Sequence, residues 1–202
     1  RTLELVFVDT DSPDYRQIVN DITASRDETR QFEVILLDNN RDGVWQISQA
    51  LQSFTDVDAI HIISHGDSNG VDLGNTRLDA ETLELQQDVF LDWSGALAVD
   101  ADILIYGCNL ASADSGLSLM RELSRLTGAD VAASEDLTGH SRLGGNWVLE
   151  ARVGTVQTQV FASQGLIETF RATLAPPVAN DDDGQSYETK LGALSSGYFQ
   201  LD

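Results

Sequence analysis

Five short apolar runs rich in β-branched residues punctuate this chain, and the stretches between them carry helical patterns. They are Leu3 to Val8, Phe32 to Leu37, Ala59 to Ile63, Ile103 to Tyr106 and Val131 to Ser134. Runs of this length and composition read as buried strands of a parallel sheet. Between the first two, Ser12 with Pro13 predicts a helix start, and Tyr15, Ile18, Val19 and Ile22 make one apolar face through about Ala24. Val44, Ile47, Ala50, Leu51 and Phe54 mark a second helix, after the turn at Asp38 to Gly43. A third is expected from Ala80 to Ala98 with a break near Gly95, and a fourth from Ser115 to Thr127, stopped by Gly128. Strand and helix joined by short turns is the pattern of βαβ units, whose right-handed crossovers build a parallel sheet covered on both faces. The expectation is a three-layer α/β fold: a mostly parallel sheet in flavodoxin-like order 2-1-3-4-5, with helices on both faces. Val71 to Leu78 is expected as a small hairpin turning at Gly74-Asn75, and Asn146 to Val153 with Gln157 to Phe161 as a closing antiparallel pair.

Two of the strands end on reactive side chains. The third runs into Ser64-His65-Gly66 and the fourth into Gly107-Cys108-Asn109. In open α/β sheets ligands collect beyond the carboxyl ends of the strands, near the point where strand order reverses. The expected order places Asp9, His65, Cys108 and the Ser134-Glu135-Asp136 segment along one crevice. A thiol and an imidazole there supply a nucleophile and a proton donor, the pair needed for cysteine-peptidase chemistry. The backbone N–H groups of Gly66 and Cys108 are placed to receive an oxyanion, since glycine lets the chain approach a scissile carbonyl closely. The bland reading of each residue stands beside this: a lone cysteine at a strand end is often a small buried hydrophobe, and a histidine before glycine often just ties a loop.

The other polar residues divide similarly. Asp9, Asp11, Glu135 and Asp136 at the crevice would favour a basic residue before the cut bond, for instance near Arg171; as solvated loop charges or helix caps they would do nothing of the kind. His61 shares its side of the strand with His65 and reads as a core histidine, and His140, in a glycine-rich loop, is expected to be simply exposed, with a position bordering the substrate as the alternative. Asp181, Asp182 and Asp183 offer hard oxygens to Ca²⁺, though without the spacing of a complete binding loop. No spacing of cysteine and histidine suits zinc.

Composition sets limits. The chain has 202 residues, 42% of them hydrophobic, and its 33 acidic and 12 basic residues give a formal charge of −21. So negative a surface repels nucleic-acid phosphates and anionic membranes. A single cysteine excludes an internal disulfide. No apolar run approaches the length of a membrane span, so membrane insertion is not expected. Residues 1–173 read as the α/β domain, and the Pro-Pro and Asp-rich stretch within 174–202 reads as a linker and the opening of a further module of a longer protein.

The Ile-Ile-Ser-His-Gly66 and Ile-Tyr-Gly-Cys-Asn109 blocks resemble the histidine and cysteine motifs of clan CD cysteine peptidases, the caspase, legumain, gingipain and clostripain group. Across residues 3–170 the chain also resembles a domain of uncharacterised function found in giant bacterial surface adhesins with cadherin-like and RTX-type repeats. Leu-Val-Phe-Val-Asp9, Leu-Leu-Asp-Asn-Asn-Arg-Asp-Gly43, Thr-Gly-Ala-Asp-Val-Ala-Ala-Ser134 and Leu-Gly-Gly-Asn-Trp147 carry that likeness. The resemblance implies a caspase-like fold, His65 and Cys108 as the dyad with Gly66 in the oxyanion hole, no required cofactor, and a secreted or cell-surface setting in which calcium is at hand. Its polypeptide substrate would be the parent chain itself or a neighbouring segment. Asn109-Leu-Ala follows the cysteine where caspases differ, which argues against cleavage after aspartate. Two other functions are open to the same residues: an inactive caspase-like module that binds or anchors, and a ligase that works through the thioester.

Overall fold

The structure is a computed structural model and describes residues 1–25 and 28–176. The chain runs β1 (Thr2–Asp9), α1 (Tyr15–Ala24), β2 (Arg30–Leu37), α2 (Gly43–Leu51), β3 (Val57–Ile63), β4 (Gly66–Asp67), β5 (Gly70–Leu73) and β6 (Thr76–Asp79). It continues through α3 (Ala80–Leu85), α4 (Gln87–Trp93), β7 (Leu97–Tyr106), α5 (Asp114–Thr127), β8 (Asp130–Ala133), β9 (Leu137–Thr138), β10 (Gly145–Asn146), β11 (Ala151–Val153) and α6 (Gln164–Thr169). The main sheet has six strands in the order β2-β1-β3-β7-β8-β11. Its first five are parallel and β11 closes the edge antiparallel to β8. Taken in chain order, the parallel strands therefore lie 2-1-3-4-5, as the strand–helix alternation predicts.

Side-chain alternation along these strands divides the core in two. Leu5, Phe7, Ile60, Ile62, Ile103 and Ile105 point to one face, where Val44, Ile47, Phe90, Trp93, Leu119, Met120 and Leu123 of α2, α4 and α5 cover them. Val6, Val8, Ala59, Ile63, Leu104 and Tyr106 point to the other, beneath Ile18 and Ile22 of α1, Leu166 of α6, and Trp147, Phe161 and Phe170. The result is a three-layer α/β fold. Local signals agree with it: the Asp42 carboxylate caps α2 by accepting from the Trp45 N–H at 2.9 Å, and Gly128, at φ 76°, ends α5 in the left-handed region that glycine enters without strain.

Three local expectations are corrected. The first helix opens at Tyr15, not at Pro13, because Asp14 adopts φ 49° and Ser12 turns inward, its hydroxyl directed at the Ile63 carbonyl. Ala80 to Ala98 is two short helices broken at Gln86, and Leu97 and Ala98 already belong to β7; the Ala96 carbonyl accepts from the Val57 N–H at 3.0 Å and draws the chain into the sheet. Gln157 to Phe161 forms no strand. Side chains hold it instead: one Asp102 carboxylate oxygen accepts from the Gln157 and Thr158 N–H groups, and the Tyr106 hydroxyl accepts from the Phe161 N–H. The hairpin at Gly74-Asn75 is present as β5 and β6, with β4 as a third strand beside them.

A polar chain crosses the second core layer. Arg30 donates from two guanidinium nitrogens to Glu4, His61 Nε2 lies 2.8 Å from Glu4 Oε2, and His61 Nδ1 lies 3.0 Å from the Tyr106 hydroxyl. Burial alone would raise the Glu4 carboxyl, but the hydrogen bonds from Arg30 and His61 overcome it and hold it at about 2. Burial pushes the His61 pKa down, so the ring is neutral, donating from Nε2 to Glu4 and accepting from Tyr106 at Nδ1.

Candidate active site

β3 and β7 are neighbours in register, with Ile63 opposite Tyr106. Their chains leave the sheet side by side, so the two sequence blocks meet where they emerge. The contact is backbone on backbone: a Cβ placed on Gly66 would stand 2.8 Å from Gly107 Cα and 3.3 Å from the Cys108 nitrogen. Only a residue without a side chain permits that approach.

The Cys108 sulfur is fully buried. It accepts a hydrogen bond from the Thr138 N–H at 3.2 Å and is placed to donate to the Thr138 carbonyl at 3.6 Å. Burial pushes the thiol up to about 11; the backbone amides of Thr138 and Leu174 pull the other way, and the nearby Asp136 charge adds to the rise. The resting sulfur is therefore a thiol and not a thiolate. Asn109, next in the chain, adopts φ 57°, a left-handed conformation that asparagine tolerates better than most residues. Its N–H donates to the Asp136 carbonyl at 2.7 Å, which ties the turn after the cysteine to the loop between β8 and β9.

His65 is 8% exposed, and its Nδ1 has no hydrogen-bond partner among the described residues. Leaving a buried donor or acceptor unmet costs about 1–3 kcal/mol, a state that His65 Nδ1 shares among the described residues with His140 Nδ1, Asp102 Oδ1, the Thr138 hydroxyl and the Trp147 indole N–H. Attraction to His65 is one of the smaller influences on Asp9, whose carboxyl burial raises above its usual range.

What seals the sulfur is the protein's own chain. After α6, residues 170–174 run over Cys108 as an extended strap alongside residues 138–140. The His140 N–H donates to the Ala172 carbonyl at 2.8 Å, Gly139 and Thr173 form an antiparallel bridge, and the Leu174 N–H donates to the Thr138 carbonyl at 2.9 Å. The Leu174 carbonyl accepts from the Gly66 N–H at 3.2 Å. Phe170 and Leu174 are fully buried, in the same apolar cluster as Cys108 and Trp147. Leu174 is thus packed and hydrogen-bonded as part of the domain that the sequence alone would end at residue 173.

The remaining sequence candidates have other ties. Asp9 accepts from the Asp11 and Gly74 N–H groups, and Asp136 accepts from the Asn146 side-chain amide. Asp11 and Glu135 are exposed, the Glu135 N–H donating to Glu150. The Asp9 and Asp136 carboxylates thus hold neighbouring loops, whereas Asp11 and Glu135 take part through their backbone N–H groups. His61 is the core histidine expected, whereas His140 is not exposed but buried beside the strap that its N–H pairs with, its Nε2 3.3 Å from an Arg171 guanidinium nitrogen. Asp181, Asp182 and Asp183 lie outside the described residues. Among the described residues no group of three or more His, Cys, Asp or Glu converges on a metal position, and no helix is long and apolar enough to cross a membrane. Sequence reasoning missed Thr138, the anchor of the sulfur, and Leu174, its cover. The one readable sign was a pair of apolar residues, Phe170 and Leu174, persisting in a tail otherwise turning polar.

No curated protein and no solved structure matches the chain. A family does, over residues 5–174, and its limit falls on the last residue of the strap. The chain belongs to the family described as a domain of unknown function, DUF4347.

Proposed function

We propose that His65 and Cys108 are the dyad of a cysteine endopeptidase of the clan CD kind, acting on its own polypeptide or on a neighbouring segment of a large secreted bacterial surface protein. Cys108 attacks the peptide carbonyl, His65 protonates the departing amine, and the N–H groups of Gly66 and Cys108 receive the oxyanion. The observation that carries this reading is the packing of Gly66 on Gly107 and Cys108, with the Gly66 N–H already holding the carbonyl of an extended peptide segment. The orphaned Nδ1 of buried His65, the residue before Gly66 in the chain, supports it. The chemistry needs no cofactor, and calcium enters only through the acidic segment 181–183 and its setting.

A second reading has its own support. A fully buried thiol pushed up to about 11 also suits an inactive module that retains the fold for binding or anchoring. A peptide carrying a thiol-reactive group separates the two. Under native conditions the dyad labels at Cys108, and His65→Ala lowers the rate at least roughly 100-fold, the scale of a general acid–base contribution. Equal native labelling with and without the imidazole would leave the binding module as the better account. Products joined to an added amine, in place of hydrolysed ones, would assign the thioester to ligation.

A further inference from the structure

Resting on that dyad, we propose that the strap is the enzyme's own substrate and that the bond cut is Leu174–Ala175. An extended segment bound beside a strand is a general mode of peptide recognition, in which main-chain hydrogen bonds hold the peptide and alternate side chains enter pockets. Residues 172–174 meet each requirement. Ala172 and Leu174, two apart, pair with His140 and Thr138, also two apart and running the opposite way. Glycine at 139 makes room, since a Cβ there would stand 2.3 Å from the Ala172 carbonyl oxygen. The Leu174 side chain is fully buried in the cluster that contains Cys108.

The register names the bond. Of the strap's carbonyls, that of Leu174 accepts from the Gly66 N–H, the donor assigned to the oxyanion, and the Leu174 amide lies against the sulfur. His65 takes the proton of the Cys108 thiol as the sulfur attacks the Leu174 carbonyl carbon, forming a carbon–sulfur bond and an oxyanion. The bond to the Ala175 nitrogen breaks as His65 delivers a proton to it. Water then hydrolyses the thioester, leaving a Leu174 carboxylate and a free Cys108 thiol. The net reaction adds one water and releases a chain that begins Ala175-Pro176. Specificity then rests on a buried leucine and not on a basic residue, and Arg171, exposed and three residues upstream of Leu174, is not the cut position.

The test uses the 202-residue chain, followed by intact mass and N-terminal sequencing, beside Cys108→Ala, Cys108→Ser and Leu174→Arg. A leucine-ending peptide with a thiol-reactive group is applied to the wild type and to His65→Ala in parallel. Fragments 1–174 and 175–202, absent from both cysteine variants and slowed at least roughly 100-fold by Leu174→Arg, are the expected result. Two cysteine variants guard against one of them misfolding, and circular dichroism checks each. Cysteine-dependent cleavage at another bond overturns the assignment of Leu174 and leaves the dyad standing. An intact chain whose Cys108 still takes the probe in a His65-dependent way overturns self-cleavage at the strap, again without touching the dyad. An intact chain that also refuses the probe overturns both.

Discussion

Gly66 sits so close to Gly107 that a methyl group on the first would press within 2.8 Å of the second's Cα. Two chain segments more than 40 residues apart in sequence thereby share one edge. Gly66→Ala must push the start of β4 away from the turn that follows β7, which moves the Gly66 N–H from the carbonyl it binds. The expected outcome is a loss of at least ~100-fold in Cys108-dependent cleavage or probe labelling, the scale of removing one oxyanion donor. Overpacking adds a cost of about 1–3 kcal/mol. Cleavage rate and urea midpoint, measured together, separate the two effects: a lower midpoint with an unchanged rate would remove Gly66 from the oxyanion site.

The Cys108 thiol makes stability fall at alkaline pH. Its pKa in the folded protein is about 11, against an ordinary 9.0. A group whose folded pKa is raised contributes fully below the unfolded value and loses that contribution as pH rises through the folded one. Two pKa units correspond to about 3 kcal/mol, lost between pH 9 and 11. Cys108→Ala lacks the titration. Urea unfolding at pH 8 and pH 10.5 should bring the wild type closer to this variant, or below it, and parallel curves for the two would place the sulfur in water.

Access to the sulfur depends on Leu174. Replacing this fully buried residue with alanine leaves a cavity over Cys108, a change that costs roughly 2–5 kcal/mol in well-packed cores. Part of that cost is met by freeing the strap, whose remaining ties are the backbone bonds to Thr138, His140 and Gly66. In a His65→Ala background, which keeps the chain whole, Leu174→Ala should raise the rate of iodoacetamide labelling at Cys108 at least roughly tenfold at pH 8. No increase would mean that something other than the strap closes the crevice.

The sheet order and the meeting of the two blocks were legible because they depend on local pattern. Short β-branched runs such as Ile103 to Tyr106 read as buried strands by their length and composition, and the crossover rule then puts His65-Gly66 and Gly107-Cys108 on one edge. The strap was hardly legible, because what seats Phe170 to Leu174 is backbone pairing with residues more than 30 positions earlier, and neither the glycine at 139 that makes room for it nor the two apolar residues names its partner. The same holds for Gln157 to Phe161, whose β-favouring Thr158, Val160 and Phe161 suggest a strand while the Asp102 carboxylate and Tyr106 hydroxyl occupy its amides. Asn109 was half legible: asparagine after Gly-Cys suits a left-handed turn, but only the Asp136 carbonyl fixes it there. His61 was readable as a core residue from its strand position, whereas its partners on β1 and β7 follow from register.

That buried partnership governs acid stability. Glu4, held at about 2 in the folded protein against an ordinary 4.5, has a depressed pKa. Its contribution is therefore present above pH 4.5 and lost as pH falls toward 2. The shift corresponds to about 3 kcal/mol at neutral pH. Glu4→Gln keeps the size of the side chain and removes the charge that Arg30 and His61 share, so the variant should lose stability at pH 7 by an amount of this order. As pH falls from 4.5 to 2 the wild type should approach it, since a protonated Glu4 offers Arg30 no charge either. Tyr106→Phe tests the far end of the chain: His61 Nδ1 and the Phe161 N–H both lose their partner, at a cost of about 1–3 kcal/mol that does not vary over the same pH range. Urea unfolding of the three proteins at pH 7 and pH 3 distinguishes these outcomes. A Glu4→Gln deficit as large at pH 3 as at pH 7 would show that the carboxylate charge is not what the core is built around.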